Sequence, residues 1–127
     1  MLHSVVAIGV GAALGALSRW WLGLALNGIL PTLLLGTLAA NWIGGLLMGL
    51  ALGWFAAHSQ LVPQWQLLCM TGFLGGLTTF SAFSGEVTLL LRDGRIGWAL
   101  INIAAHVLGS LLLTGLGLVT YHGLRRS

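Results

Sequence analysis

The chain has 127 residues, enough for one domain, and contains no lysine. Hydrophobic residues make up 57% of it and charged residues 6%, with a mean hydropathy of +1.00, whereas a soluble domain carries about 25% charged residues. This composition excludes a soluble protein and predicts a single integral membrane domain over residues 1–127. The pI of about 10.6 comes from dispersed arginines, whereas a nucleic-acid surface needs a clustered basic patch.

Four apolar segments approach or exceed the roughly 20 residues with which a helix crosses a bilayer. They are predicted at 5–26, 33–57, 66–91 and 98–121. The connectors are short, so neighbouring helices must run antiparallel. The first segment lacks a basic n-region and continues far beyond the apolar region of a signal peptide, which favours a true span. The sequence therefore predicts an all-α integral membrane fold of four transmembrane helices.

The arginines give the chain almost no preferred orientation. Four spans place Arg125 and Arg126 on one side of the membrane and Arg92 and Arg95 on the other, with Arg19 reaching toward the second side. Because cytoplasmic loops normally carry an excess of basic residues, a balanced chain is expected to insert both ways up. We hypothesise dual topology and antiparallel homodimers. The alternative is a translocon partner that fixes one orientation.

The stretch "GGLTTFSAF" weakens the third segment as a helix. Gly75 and Gly76 are followed by Thr78 and Thr79, and both residue types are poor helix formers. A break frees backbone carbonyls, which inside a membrane must be satisfied by protein, water or an ion. Two freed carbonyls per chain, doubled by a twofold axis, would give four oxygens and a cation cage. The alternative is a simple kink that the threonine hydroxyls heal.

Two phenylalanines follow this stretch and can contribute to an anion site. Phe80 and Phe83 share a helical face with Ser84, and Ser81 lies on a different face. Phenylalanine in a membrane helix ordinarily faces lipid or the core, but its ring edge carries partial positive charge. Ring edges beside hydroxyls and an amide bind an anion without a formal cation, which lets the anion leave again.

Polar residues inside the other segments indicate packing contacts or an ion path. Asn102, His106, Ser110 and Thr114 recur every four residues, which places them on one helix face. A single Ser or Thr there can bond its own i−4 carbonyl, but four polar residues in register indicate a hydrated or ion-facing track. Asn41 in the second segment either bonds another helix or joins the anion site.

Two charged residues lie within the segments. Arg19 is the only basic residue well inside a span, where it either draws anions into a vestibule or extends its guanidinium to the headgroups. Glu86 is expected at the interface, near the end of the third segment. The single cysteine, Cys69, and the dispersed histidines offer no metal-ligand spacing, so a zinc site is not expected.

Together these residues resemble the Fluc (CrcB) fluoride channel family over essentially the whole chain. The resemblance includes Arg19, "GTLAANWIGG" around Asn41, "GFLGGLTTFSAFSGE" in the third segment and the polar stripe of the fourth. It implies a dual-topology homodimer of antiparallel subunits in the lipid of the bacterial cytoplasmic (inner) membrane. Two separate pores would let fluoride leave the cytoplasm passively.

The resemblance also implies roles for individual residues. The fluoride pore would be lined by Asn41, Phe80, Phe83, Ser110 and Thr114, a secondary polar track by Ser81, Ser84 and Glu86, and the vestibule by Arg19. A structural Na⁺ on the twofold axis would be held by the carbonyls of Gly75 and Thr78 from both subunits. Many members of the family carry Thr or Ser where this chain has Ala82. Either this position is not an essential fluoride ligand, or another hydroxyl such as that of Ser81 compensates, and Ala82 itself is not expected to be a site residue.

Other functions explain the sequence less well. A small dual-topology multidrug exporter has a similar size and four helices, but it needs a carboxylate in its first helix, and residues 5–26 contain none. An accessory membrane protein without transport would explain the GxxxG spacings but neither the polar stripe nor "TTFS". An enzyme is disfavoured because the sequence has no nucleophile–base pair and no nucleotide-binding loop.

Overall fold

The computed structural model describes residues 1–126, which form helices joined by short connectors. The first two helices are α1 (Leu2–Leu26) and α2 (Leu35–Ala57). The third span consists of α3 (Pro63–Gln66), a π-helical segment (Leu67–Leu74), α4 (Gly75–Leu77) and α5 (Phe80–Arg92). The last helix is α6 (Ile96–Arg126).

The predicted all-helical architecture is confirmed. Within residues 1–126, four helical spans are long and apolar enough to cross a membrane: Leu2–Leu26, Leu35–Ala57, Pro63–Arg92 and Ile96–Arg126. They begin and end within a few residues of the predicted segments, with α6 continuing past the predicted end at 121. The third span is bent, as its glycine and threonine content predicts.

The first connector is fixed by Asn27, which follows the last residue of α1. Its Oδ1 accepts hydrogen bonds from the backbone N–H groups of Gly36, at 2.7 Å, and Thr37, at 3.3 Å. Both groups lie in the first turn of α2, where a helix leaves its N–H groups without intrahelical partners. Asn27 therefore acts as an N-cap supplied from outside α2 and holds the start of that helix against the end of α1.

The helices approach most closely along two seams of small residues. In the first seam, α1 packs on the third span, and a Cβ added at Gly15 would collide with the carbonyl oxygen of Phe73. In the second seam, α2 packs on α6, and a Cβ added at Gly49 would collide with the carbonyl oxygen of Thr114. The predicted GxxxG contacts thus join the first span to the third and the second span to the fourth.

Large apolar side chains face outward rather than into the bundle. Trp21, Leu112 and Val119 are among many such residues that are exposed, whereas the buried positions of α2 are mainly glycine and alanine. Polar residues are buried instead, among them Asn102 and His106. This distribution suits a chain surrounded by lipid, in which the polar groups must be satisfied inside the bundle.

Candidate functional site

The third span unwinds at Thr78 and Thr79. Their backbones are extended, with φ and ψ of −86° and 156° at Thr78 and −150° and 120° at Thr79. Gly75 and Gly76 precede the break and remain helical. The unwound residues are therefore the β-branched threonines, which lose side-chain freedom in a helix, and the glycines serve close packing instead: a Cβ at Gly76 would meet the carbonyl oxygen of Ala12 at 2.5 Å.

Asn41 of α2 bridges the break. Its Oδ1 accepts a hydrogen bond from the backbone N–H of Thr79 at 2.8 Å, and its Nδ2 donates to the Thr79 carbonyl at 3.0 Å. The amide therefore replaces helical partners that Thr79 lacks, which is the condition for keeping an unwound segment inside a membrane. A second Nδ2 contact reaches Nδ1 of His106 at 3.0 Å.

The break frees the two carbonyls that the resemblance assigns to a cation. In a continuous α-helix the Gly75 carbonyl would accept from the N–H of Thr79, but that group donates to Asn41. The Thr78 carbonyl would accept from the N–H of Ala82, but that group donates to the Thr79 hydroxyl at 3.1 Å. Unwound carbonyls are suitable ligands for Na⁺, so the donor set fits a sodium ion.

One carbonyl at the break is already occupied. Nε of Arg19 on α1 donates to the carbonyl of Gly76 at 3.1 Å. The side chain of this predicted vestibule residue is half-buried and its guanidinium is used at least partly to satisfy the backbone. Arg19 therefore connects α1 to the same break that Asn41 connects to α2.

A cavity of about 430 Å³ lies beside the break, between α2 and α6. Its lining brings together all five residues expected to form the pore and adds His106 and both unwound threonines: Asn41, Thr78, Thr79, Phe80, Phe83, His106, Ser110 and Thr114. Residues from three different spans thus converge on one space. The sequence singles out each of these residues, and the structure shows that they lie around one cavity.

The two phenylalanines of the cavity differ in exposure. Phe80 is 76% exposed and Phe83 is 7% exposed, and their rings meet edge to face with centroids 5.5 Å apart. The Phe83 ring also packs on His106, with centroids 4.7 Å apart. Phe83 is therefore held in place by its neighbours within the chain, whereas Phe80 projects from its surface.

The polar stripe of α6 divides into two parts. Ser110 and Thr114 are half-buried and line the cavity opposite Gly45, where an added Cβ would lie 3.2 Å from Oγ1 of Thr114. Asn102 and His106 are buried, and Nδ2 of Asn102 donates to Oε2 of Glu86 at 3.2 Å. Ser110 and Thr114 thus face the cavity. Asn102 and His106 take part in a polar cluster with the third span, and His106 also lines the cavity.

The residues of the predicted secondary track lie outside the lining of this cavity. Ser81 and Ser84 are exposed, and Oγ of Ser81 is 3.3 Å from Oγ1 of Thr79. The side chain of Glu86 is only 11% exposed, and its Oε2 lies near Asn102 and His106. The structure therefore separates Glu86 from the two serines with which it is grouped in the sequence.

His106 is the residue of this site whose place the sequence leaves unassigned. It contacts Asn41 through Nδ1, packs on Phe83, and its Nε2 lies 3.9 Å from Oε2 of Glu86. The sequence signal for this position is its register, four residues before Ser110 and four after Asn102. The partners could not be found in the same way, because they come from α2 and the third span.

A multi-pass helical bundle with a broken helix beside a cavity that several polar side chains line is typical of membrane transport proteins in which unwound backbone lines an ion or substrate path. Residues 6–118 match the family "CrcB-like protein, Camphor Resistance (CrcB)". The chain belongs to this family, as its resemblance in sequence predicts.

Several curated relatives match the chain over nearly its whole length. The chain is 58% identical over 127 residues to "Fluoride-specific ion channel FluC" of Tolumonas auensis, with all of both chains covered. It is 56% identical over 122 residues to the protein of that name from Pseudomonas putida, with 96% of each chain covered. The Pseudomonas aeruginosa protein of the same name is 57% identical over 118 residues, 93% of each chain. The family is one of ion channels, and this multi-pass membrane protein is not an enzyme.

Proposed function

We propose that the protein is a passive fluoride-selective channel that exports fluoride from the cytoplasm. The observation that carries the proposal is the cavity at the helix break, which is lined by an amide, two phenylalanine rings and hydroxyls from three spans. Relatives more than 50% identical over almost the whole chain are named fluoride-specific ion channels. Asn41, Phe80, Phe83, Ser110 and Thr114 are the proposed pore residues.

The chemistry of the cavity favours a small anion. The break makes Thr79 the N-cap of α5, so the partly positive N-terminus of that 13-residue helix begins at the cavity. The hydroxyls of Ser110 and Thr114 add donors, and the phenylalanine edges add partial positive charge. Among the described residues that line the cavity there is no lysine or arginine, so a bound anion is held weakly enough to leave.

The placement of the acidic residues supports passive conduction. Glu86 and Asp93 are the acidic residues of the chain, and neither lines the cavity. Proton-coupled exchangers commonly use a carboxylate on the substrate path to exchange protons for the cargo, and none lines this cavity. Fluoride would therefore move down its own electrochemical gradient through a narrow path of donors and ring edges.

The proposed assembly is an antiparallel homodimer with dual topology in the bacterial inner membrane. The balanced arginines support insertion in both orientations. Phe80 is 76% exposed and Gly75 is exposed on the single chain, although both belong to the proposed functional machinery. A second, inverted copy would cover this face and complete each of two pores.

The structural Na⁺ belongs to the same assembly. One chain offers the carbonyls of Gly75 and Thr78, which have lost their helical donors to Asn41 and the Thr79 hydroxyl. A twofold axis doubles two oxygens to four. When bound, the ion supplies positive charge that holds the two breaks together at the axis, while Asn41 and Arg19 keep the neighbouring carbonyls of Thr79 and Gly76 occupied.

Fluoride efflux from proteoliposomes tests the function directly. Vesicles loaded with potassium fluoride or potassium chloride are diluted into a solution free of either anion, and efflux is started with a potassium ionophore. Wild-type protein should release fluoride, read by a fluoride electrode, and retain chloride. Fluoride retention equal to that of protein-free vesicles would overturn the proposed function, and equal release of both anions would overturn the selectivity.

A further inference from the structure

The orientation of the Asn41 amide is fixed by the backbone of Thr79. A backbone N–H can only donate, so the Asn41 atom 2.8 Å from the Thr79 nitrogen must be the acceptor Oδ1. The other end of the amide is then the NH₂ group. It has two hydrogens: one goes to the Thr79 carbonyl at 3.0 Å, and the other faces Nδ1 of His106 at 3.0 Å.

This arrangement determines the tautomer of His106. An N–H of Asn41 needs an acceptor, so Nδ1 of His106 must be unprotonated, and the proton of the neutral ring lies on Nε2. Within the described residues Nε2 has no hydrogen-bond partner, and Oε2 of Glu86 lies 3.9 Å away, beyond hydrogen-bonding distance. Asn102 holds that same carboxylate oxygen at 3.2 Å. The imidazole is only 3% exposed, so bulk water offers it few alternative partners.

We propose that His106 is a positioning residue that competes with the permeating anion for Asn41. Both hydrogens of the Asn41 amide are committed in this structure. An anion in the cavity can therefore bind the amide only by replacing one of these two acceptors. Thr79 is held to Asn41 by two hydrogen bonds and His106 by one, so the acceptor that gives way is Nδ1 of His106. This inference rests on the proposed function, because it takes the anion to pass through the cavity that Asn41 and His106 line.

The competition distinguishes fluoride from chloride. A hydrogen bond to an ionised acceptor is roughly twice as strong as one between neutral groups, and fluoride, being small, concentrates its charge more than chloride does. Fluoride can displace the imidazole nitrogen, whereas the larger and weaker acceptor chloride leaves the amide with His106. Specificity often depends on an interaction that disfavours binding of the wrong ligand. Here the hydrogen bond between Asn41 and His106 disfavours the binding of chloride.

Two variants at position 106 separate competition from packing. His106→Leu fills the buried site without an acceptor, and His106→Asn keeps an acceptor oxygen near the position of Nδ1. In liposome flux assays, His106→Leu should lower the half-saturating fluoride concentration about fivefold, as expected for the loss of one competing hydrogen bond. It should also reduce the ratio of fluoride flux to chloride flux, while His106→Asn stays close to wild type. Equal effects of the two variants, or an unchanged flux ratio in His106→Leu, would overturn the proposal.

Nitrogen-15 NMR of the histidine rings provides a test on the wild-type protein, and it decides the matter should His106→Leu fail to fold. The His106 signals are identified by their absence from the His106→Asn spectrum. They should show the Nε2–H tautomer without fluoride, and the Nδ1 signal should shift with saturating fluoride but not with chloride. The role of His106 alone is overturned if the proton lies on Nδ1. It is also overturned if the Nδ1 signal does not shift with fluoride in a protein that conducts fluoride. Absence of fluoride flux in the wild type overturns the proposed function together with the competition.

Discussion

Asn41 and Thr79 pair in the way that two peptide groups of adjacent strands do, each donating one hydrogen bond to the other and accepting one, at 3.0 and 2.8 Å. A single side chain on α2 thus takes the place of the helical partners of an unwound residue 38 positions later in the chain. Because an unsatisfied buried backbone group costs about 1–3 kcal/mol, this pair both permits the break and fixes its position.

Replacing Asn41 by aspartate removes the donor that this pair and the proposed pore require. Asn41→Asp would place a carboxylate oxygen against the Thr79 carbonyl, which it repels, and against any anion in the cavity. We expect fluoride efflux from liposomes to be abolished. The matched control is Asn27→Asp, since Asn27 uses only its oxygen, as an acceptor for Gly36 and Thr37, and should retain efflux. Normal efflux through Asn41→Asp would refute a donor role for the amide.

Substitutions of Phe80 and Phe83 should differ in their effect on thermal stability. Phe80→Ile removes a ring that is 76% exposed on the single chain, so it should leave each subunit folded while lowering fluoride flux about tenfold, through loss of the ring edge. Phe83→Ile also disturbs packing against Val87 and Ala99, so lower thermal stability should accompany any lower flux. Phe55→Ile, in an apolar cavity on the other side of α2, is the control. Wild-type flux in Phe80→Ile would make that ring merely structural.

The hydroxyl of Thr79 should control the proposed sodium site. Thr79→Val removes the acceptor that takes the N–H of Ala82, so this N–H can donate to the carbonyl of Thr78 instead and compete with a cation for it. Thr79→Ser keeps the hydroxyl. Melting in detergent should depend on Na⁺ for the wild type and for Thr79→Ser, and lose that dependence in Thr79→Val. The same sodium dependence in all three proteins would contradict a cation held by the carbonyl of Thr78.

Two glycine-to-alanine substitutions, one in the second seam and one away from it, should have opposite effects on thermal stability. Gly49→Ala adds a methyl group that collides with the carbonyl oxygen of Thr114, and overpacking of this kind costs about 1–3 kcal/mol. Gly115→Ala adds one where nothing lies within 4 Å, so on helix propensity alone it should stabilise α6 slightly. Thermal unfolding monitored by size-exclusion chromatography compares them. Equal melting temperatures would show that α2 and α6 do not pack as closely as the structure has them.

Dual topology predicts that the C-terminus is found on both sides of the membrane. Fusions of an enzyme active only in the periplasm and of a fluorophore active only in the cytoplasm should both give signal. Two arginines added to the connector between α2 and the third span should shift the population toward one side, since short loops that carry arginine stay cytoplasmic. Signal from only one reporter in the unmodified chain would rule out dual topology.

The sequence predicts the helices of this protein well because lipid imposes a strong length and hydropathy requirement. It also predicts several members of the cavity: a spacing of four places Ser110 and Thr114 on one face of α6, and the family resemblance names Asn41, Phe80 and Phe83. Membership in the channel family is likewise predicted by the resemblance and confirmed. The sequence does not show how the spans are paired, because a GxxxG spacing is the same whichever helix it faces.

Two local features depend on contacts between distant segments. The break lies at Thr78 and Thr79 rather than at the glycines because Asn41 and the Thr79 hydroxyl provide substitute hydrogen bonds there. Glu86 is buried because Asn102 of α6 gives its carboxylate a hydrogen-bond partner inside the bundle. Neither partner is recognisable from the local pattern, since helix propensity describes a segment without its neighbours.

The pairing of the second span with the fourth has a consequence for biosynthesis. α1 meets its main partner when the third span is made, but α2 finds the backbone of α6 only when the last helix leaves the ribosome. Asn41 can pair with Thr79 before that point, but its second N–H lacks its acceptor on His106 until α6 has been made. We therefore expect chains stalled before α6 to expose the open glycine face of α2 and an incomplete polar centre to lipid, which makes them targets for membrane quality control.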